Sequence, residues 1–401
     1  MQSALEFRNV DILFCSRSGR RAAALTQQAL AALDSGSTRA HIAEENGVVV
    51  GVADANLCVE HGEISVLMGL SGSGKSTLLR AANGITPVTR GQVLVKDGAA
   101  VVNIATCDAT TLRRIRRLRI AMVFQQFGLL PWRTVRENVG FGLELRGESA
   151  AMRKRVIEEQ LELVGLSQWA DRHVAELSGG MQQRVGLARA FATNAEVLLM
   201  DEPFSALDPL IRRKLQDELL TLQQRVKKTI LFVSHDLDEA LKLGDHITIL
   251  EGGRIVQSGT AEDIVVRPAN AYVAEFVTHM NPLNVLTGDM VMRPCAGMPC
   301  DEGMLWLDER RRYQVFLDER GGPSALRVDG AEQALGVVRE VDGWSHQPGG
   351  MAMAPASISL SAIIRLRNAT GHPVLIMEGE RLAGVCDQSE IIRALAGARD
   401  H

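Results

Sequence analysis

A glycine-rich run at Gly69-Leu70-Ser71-Gly72-Ser73-Gly74-Lys75-Ser76-Thr77 constrains this chain more than any other feature of its sequence. A short apolar run, Glu63 to Met68, precedes it, and helical spacing from Lys75 to Ala82 follows. The run therefore sits between a strand and a helix, the context in which such a loop cradles phosphate. Glycines let successive backbone N–H groups turn inward as an anion nest, and the helix behind them adds the positive end of its dipole. In that pattern Gly69, Ser71, Gly72, Ser73, Gly74 and Thr77 belong to the cradle. Lys75 reaches the β- and γ-phosphates, and the Ser76 hydroxyl ligates Mg2+. Alone, the loop specifies nucleotide phosphate and nothing finer.

The run Val197-Leu198-Leu199-Met200-Asp201-Glu202 is a second constraint. It reads as a buried strand that delivers two acids at its C-terminal end, beside the strand that carries the loop. Asp201 suits a Mg2+ shell, because hard cations take oxygen ligands. Glu202 is placed to polarise a water for attack on the γ-phosphorus.

Composition excludes several classes. The chain has 401 residues, 46% hydrophobic and 23% charged, an ordinary soluble balance with room for two or three domains. Nothing approaches the ~18 consecutive apolar residues that a spanning helix needs. Met1 to Ala24 contain no apolar signal core, so export is not expected and a membrane role must come through a partner. The net charge of −4 argues against a nucleic-acid partner. One basic cluster, Arg113, Arg114, Arg116, Arg117 and Arg119, reads either as a solvated face ahead of a buried strand from Ile120 to Phe124 or as a contact for phosphate or lipid headgroups. The six cysteines fall into no disulfide or metal framework and read as reduced thiols.

Four zones appear along the chain. Residues 1–44 carry an alanine-rich helical stretch, Arg21 to Leu33. Residues 45–283 alternate short apolar runs with helical patterns, the mark of an α/β fold with a mostly parallel sheet. Residues 284–300 read as a linker, and residues 301–401 as a smaller domain whose halves form a degenerate repeat.

Further motifs surround the two acids. Leu177-Ser178-Gly179-Gly180-Met181-Gln182-Gln183-Arg184 opens a helical stretch from Met181 to Ala192. Gln125 follows Val123-Phe124, Ser205-Ala206-Leu207-Asp208 follows the acids, and His235 stands in Val233-Ser234-His235-Asp236. In this order and spacing the chain resembles the ATP-binding-cassette (ABC) ATPases across residues 45–283. Met181 departs from the glutamine that many members carry, at a position that donates nothing to phosphate. The resemblance implies ATP and Mg2+ as cofactors and two copies packed head to tail. Ser178, Gly179 and Gly180 of one copy then face the phosphate loop of the other. Gln125 senses Mg2+ and a permease, His235 holds the γ-phosphate, and Asp208 links the two sites. Glu202, His235, Lys75 and Gln125 would form the catalytic set, with Ser76, Gln125 and Asp201 around the metal.

Finer wording points to a branch. Leu207-Asp208-Pro209-Leu210-Ile211, Ser234 to Ala240 and Arg267 to Val273 are similar to ATPase subunits of glycine betaine, proline betaine and choline importers. The N-terminal extension and His279 to Val285 are most like the choline branch. That likeness implies transmembrane permease subunits, an external solute-binding protein and a peripheral place on the cytoplasmic face of the inner membrane. An importer for another small solute, or a soluble non-transport ABC protein, is the alternative; the latter usually carries two cassettes or long coiled coils, and here there is one cassette. Trp132, in the segment where the family docks a permease, reads equally as core or as docking surface. His372 to Cys386, with Ser389 to Leu395, is similar to half of a CBS regulatory module, and Tyr313 to Asp329 reads as a poorer copy. Asp387 and Glu390 stand where nucleotide-binding versions place Ser/Thr and Asp, so this domain is a sensor or a purely structural unit. ABC ATPases also stack adenine on an aromatic a short way before the phosphate loop. Counting back reaches Asn46, and no Phe, Tyr or Trp occurs between Phe14 and Phe124, so the platform reads as missing unless His41, His61 or an aromatic from elsewhere fills in.

Overall fold

The computed structural model describes residues 3–278, 286–301, 304–308, 311–337 and 350–396, in two compact units divided at Val277 and Thr278. The likeness drawn from His279 to Val285 lies outside the described residues.

The first unit begins with β1 (Leu5–Cys15), α1 (Gly19–Asp34), α2 (Arg39–Asn46) and β2 (Val48–Val59). Next come β3 (Ile64–Met68), α3 (Lys75–Ala81), β4 (Arg90–Asp97), β5 (Ala100–Asn103), α4 (Ala109–Leu118) and β6 (Ile120–Val123). A helical portion, α5 (Val135–Arg146), α6 (Ala150–Leu163) and α7 (Gly179–Ala192), leads to β7 (Val197–Asp201), α8 (Pro209–Val226) and β8 (Thr229–Val233). The unit closes with α9 (Leu237–Leu243), β9 (His246–Glu251), β10 (Arg254–Gly259), α10 (Ala261–Val266) and α11 (Ala271–Thr278).

Two sheets result. One has strand order β10-β9-β3-β8-β7-β6, parallel except where β10 turns back on β9. Every residue of β3, β7 and β8 is buried, as expected of strands covered on both faces. The other is antiparallel, β2-β1-β4-β5. Leu5, Phe7, Val10 and Ile12 from this second sheet pack into the same core as Leu67, Leu199 and Leu231 from the first.

The N-terminal segment departs from the helical extension expected of residues 1–44. Its helices are real, but they are inserted between two strands of the antiparallel sheet, because Leu5 to Cys15 pairs with both β2 and β4. Leu5 and Phe7 alternate inward, but the register shifts before Val10 and breaks the period-2 pattern that would mark a strand. Ala29, Leu33 and Ile42 of the helices close a small core with Val48, Val50 and Ala53 of β2.

One side chain holds this insertion down. Asp11, almost fully buried where β1 is irregular, accepts Asp54 N–H at 2.8 Å and Arg90 Nε at 2.6 Å. Arg90 also grips Asp34 at the end of α1 in a bidentate pair, at 2.8 and 2.7 Å. These two carboxylates, Asp34 foremost, raise the Arg90 guanidinium well above its usual range. Most of the basic cluster is similarly used internally. Arg114 and Arg119 pair with Asp97, Arg119 with Glu196 too, and Arg116 Nε donates to the Asn83 carbonyl at 2.7 Å. Three of the five arginines thus have partners within the fold, which weakens the phosphate or lipid contact, while Arg113, Arg114, Arg116 and Arg117 remain exposed as a solvated face requires.

In the second unit, α12 (Gly288–Val291) and β11 (Arg293–Pro294) fall within residues assigned to a linker, and β11 pairs with the late strand at Val385. An antiparallel sheet follows: β12 (Cys300–Asp301), β13 (Met304–Trp306), β14 (Tyr313–Leu317), β15 (Pro323–Val328) and β16 (Ala331–Gln333). Then come β17 (Leu335–Val337), β18 (Met351–Pro355), α13 (Leu360–Thr370), β19 (Val374–Glu378), β20 (Arg381–Cys386) and α14 (Gln388–Ala396). The strand–turn–strand–helix expected from 372 to 395 is present as β19, β20 and α14. The segment Tyr313 to Asp329 is not its copy: β14 and β15 form a hairpin that continues into a third strand, where a repeat requires a helix. Asp387 takes Arg367 Nε at 2.8 Å, while Glu390 caps the Asp387 N–H at 3.0 Å and faces Arg293 at 3.6 Å.

Arg90→Ala should strip Asp11 of one partner and release Asp34 from the sheet, costing about 1–3 kcal/mol. Arg90→Lys should recover only part of it, since an ammonium cannot fork onto two carboxylates. Thermal or urea unfolding of the two variants measures both effects.

Candidate active site

Strand order assembles the site. β3, β8, β7 and β6 are parallel neighbours, so their C-terminal ends lie along one edge of the sheet, where open α/β sheets bind ligands. The phosphate loop leaves β3, His235 follows β8, Asp201 ends β7, and Gln125 follows β6.

The loop is packed closely from below. Gly69 has φ +138° and lies against the Leu250 carbonyl, and Gly74 has φ +101°. A Cβ at Gly74 would stand 2.5 Å from the Gly51 carbonyl oxygen, so only glycine fits. Ser73 is buried, its carbonyl accepting the Gly253 N–H at 3.1 Å, whereas Ser71 and Gly72 are exposed. Lys75 is buried at the start of α3, and its ammonium donates to the carbonyls of Gly69 at 2.8 Å and Leu70 at 2.9 Å. Burial lowers its pKa, opposed by the negative charges of Glu202 and Asp201. Thr77, on the same helix, is half-buried.

Asp201 is wholly buried. Its Oδ1 accepts the Ser76 hydroxyl at 2.7 Å, and its Oδ2 accepts Arg80 Nε at 3.1 Å and the terminal guanidinium nitrogen at 2.8 Å. Arg80 was not singled out from the sequence, although it stands one helical turn after Ser76 and so on the same face. Glu202 turns the chain with φ +49°, an uncommon conformation for a residue with a side chain. Its Oε2 accepts Gln125 Nε2 at 3.2 Å and lies 3.5 Å from His235 Nδ1. Lys75, Ser76, Gln125, Asp201, Glu202 and His235 thus share one edge.

The signature residues stand apart from that cluster. Ser178 is the N-cap of α7, its hydroxyl accepting the Met181 N–H at 3.4 Å, and Ser178 and Gly179 are exposed. Among the described residues, no side-chain hydrogen bond joins Ser178, Gly179 or Gly180 to the phosphate loop of the same chain. Asp208 caps α8 by accepting the Ile211 N–H at 3.0 Å. Trp132 is 71% exposed, which rules out the core reading.

Two neighbours of the loop went unread in the sequence. Tyr272 on α11 accepts the Leu70 N–H at 3.2 Å. Phe14 lies at the end of β1 with its ring against Gly51, the residue whose carbonyl abuts Gly74, and it is 43% exposed. Counting back from Lys75 missed it because α1 and α2 are inserted between β1 and β2. An aromatic from outside the counted stretch thus packs on Gly51, the neighbour of Gly74, and Asn46 merely ends α2. In the fold Phe14 pairs with Val49 across the two strands.

A family model described as ABC transporter matches residues 52–205. The chain is 39% identical over 387 residues to the glycine betaine transport ATP-binding protein OpuAA of Bacillus subtilis (strain 168), covering 94% of this chain and 90% of that one. It is 41% identical over 388 residues to the glycine betaine/proline betaine transport system ATP-binding protein ProV of Escherichia coli (strain K12), covering 92% and 94%. Against the trimethylamine N-oxide transport system ATP-binding protein TmoW of Ruegeria pomeroyi it is 45% identical, over 64% of this chain and 76% of that one. The dimeric structure of MJ0796, a bacterial ABC transporter cassette, superposes with TM-score 0.54 at 29% identity, covering 64% of this chain and 98% of that one. The chain belongs to the ATP-binding subunits of ABC transporters, and its full-length relatives are those of glycine betaine transport.

Gly74→Ala should force the loop off the Gly51 carbonyl and abolish tight nucleotide binding while leaving the sheet folded. Isothermal titration with ATP, beside a circular dichroism melt, reads the two separately.

Proposed function

We propose that this chain hydrolyses ATP between two head-to-tail copies of itself and so drives import of a quaternary ammonium osmolyte through separate permease subunits. The observation that carries the reading is the convergence of Gln125 and His235 on Glu202, at the strand edge that also holds Lys75, Ser76 and Asp201. Glu202 accepts a proton from the attacking water, or orients it, and Gln125 fixes the carboxylate from the side. Lys75 moves from the loop carbonyls onto the β- and γ-phosphates, and His235 holds the γ-phosphate. Ser178, Gly179 and Gly180 of the second copy supply donors from a helix N-terminus. Among the described residues no side-chain hydrogen bond ties them to the phosphate loop of their own chain, which favours that arrangement, as does the dimeric form of the MJ0796 cassette.

The donor set also fits Mg2+. A hydroxyl and a buried carboxylate stand 2.7 Å apart at Ser76 and Asp201, with the Gln125 amide on the neighbouring strand end. Bound with the nucleotide, Mg2+ would offset charge on the phosphates. Arg80 keeps the second oxygen of Asp201 engaged and so holds the carboxylate toward Ser76. Phe14 supplies the stacking face for adenine.

Among the described residues no helix is long and apolar enough to cross a membrane. The membrane connection is a permease at the cytoplasmic face, with an external solute-binding protein delivering the solute. The exposed indole of Trp132, in the segment after Gln125, suits that docking. Glycine betaine or choline is the solute class, by likeness to the relatives named above. The likeness to half of a CBS module rests on β19, β20 and α14 alone, and Asp387 and Glu390 there are already paired internally.

Glu202→Gln should keep ATP binding, slow hydrolysis by ~10²–10⁴-fold and trap a dimer on size-exclusion chromatography with ATP and Mg2+. Hydrolysis at the wild-type rate would overturn the role of Glu202. Phe14→Ala should weaken ATP by about 1–3 kcal/mol, with Phe14→Trp close to wild type. Competition binding against ATP reads that difference, and uptake of labelled glycine betaine and choline by cells carrying the transporter identifies the solute.

A further inference from the structure

Gln183 lies on α7, the helix that Ser178 and Gly179 open, and is 1% exposed. Both ends of its amide are used. Nε2 donates to the backbone carbonyl of Glu202 at 2.9 Å, and Oε1 accepts the backbone N–H of Ala206 at 3.0 Å. The side chain therefore brackets the turn that begins with Glu202 and runs through Ser205 toward Asp208. That turn starts from a left-handed Glu202, a conformation that persists only where its surroundings hold it. The Glu202 carbonyl also accepts the Ser205 hydroxyl at 3.0 Å, so the turn is tied internally, but its link to α7 runs through Gln183. A second contact supports the same seam. Gly180, three residues earlier on α7, lies so close to the Ala206 carbonyl that a Cβ would stand 3.2 Å from it.

We propose that Gln183 is a positioning residue that locks the signature helix to the peptide of Glu202. The proposal rests on the head-to-tail reading above. In that arrangement the N-terminus of α7 grips the partner's nucleotide, while Glu202 acts on the chain's own. One buried amide thus makes each chain's two half-sites a single rigid piece. Seating of Ser178 and Gly180 on the partner's phosphate is transmitted to the angle at which Glu202 meets its water. Two such links, one per copy, make hydrolysis at the two sites interdependent.

The test uses the full chain and Gln183→Met, which keeps the volume and removes both polar atoms, with Gln183→Leu as a second variant. Hydrolysis rate is measured against ATP concentration in excess Mg2+, together with ATP affinity and thermal unfolding. Lost positioning should lower kcat by about ten- to a hundredfold, leave KM and ATP affinity within about threefold, and bring the ATP dependence from sigmoidal to hyperbolic. Wild-type kcat with retained cooperativity in either variant overturns the proposal. So does a parallel loss of ATP affinity, kcat and thermal stability, which marks Gln183 as a packing residue. Failure of the underlying dimer reading looks different, because wild type itself would then hydrolyse ATP without cooperativity or not at all.

Discussion

The proposed catalytic edge leans on the fully buried carboxylate of Asp201. A buried charge is tolerated only when its lone pairs are engaged, and here Ser76 takes one oxygen and Arg80 the other. Both partners come from α3, one turn apart, so the carboxylate ties the helix behind the phosphate loop to the strand that ends at Glu202. The loop can then hold its left-handed glycines and a desolvated lysine, because the elements on either side are tied together. The parallel order of β3, β8, β7 and β6 does the rest, setting Gln125 and His235 on either side of the reacting edge.

Much of this was legible from residues alone. The glycine run, the two acids and the glutamine and histidine that follow short apolar runs are local signals, and each sits at a strand end where local pattern is most reliable. Both helices flanking the chemistry, α3 and α7, appear where periodicity placed them. Long-range pairings were harder to see. Arg80 on Asp201, Gln183 on Glu202 and Tyr272 on Leu70 join residues far apart in sequence, and no spacing rule reveals them. The strand β1 escaped because an insertion separates it from its partner, so hairpin proximity gave no cue. In the C-terminal unit the β14–β15 hairpin imitates half of the later β19–β20 pattern, and only the element that follows distinguishes the two.

The C-terminal unit also shows how the same residue types carry different meaning by context. Asp387 and Glu390 stand at the end of a strand and the start of a helix, as Asp201 and Glu202 follow a strand in the core. In the core Arg80 takes one oxygen of Asp201, while Glu202 is met by Gln125 and His235 rather than by an arginine. In the tail an arginine faces each acid, Arg367 at Asp387 and Arg293 at Glu390.

The insertion between β1 and β2 has a practical side. Antiparallel pairing and the bond from Asp54 N–H to Asp11 hold β1 and β2 together, and lengthening a closed loop costs only about 0.6 kcal/mol per doubling. The bend at Ser35 to Ser37, between the two helices, is exposed or half-exposed and lies outside every strand. A short affinity tag or fluorophore spliced there would ride on a separate small core, reporting on the cassette without entering either face of the nucleotide.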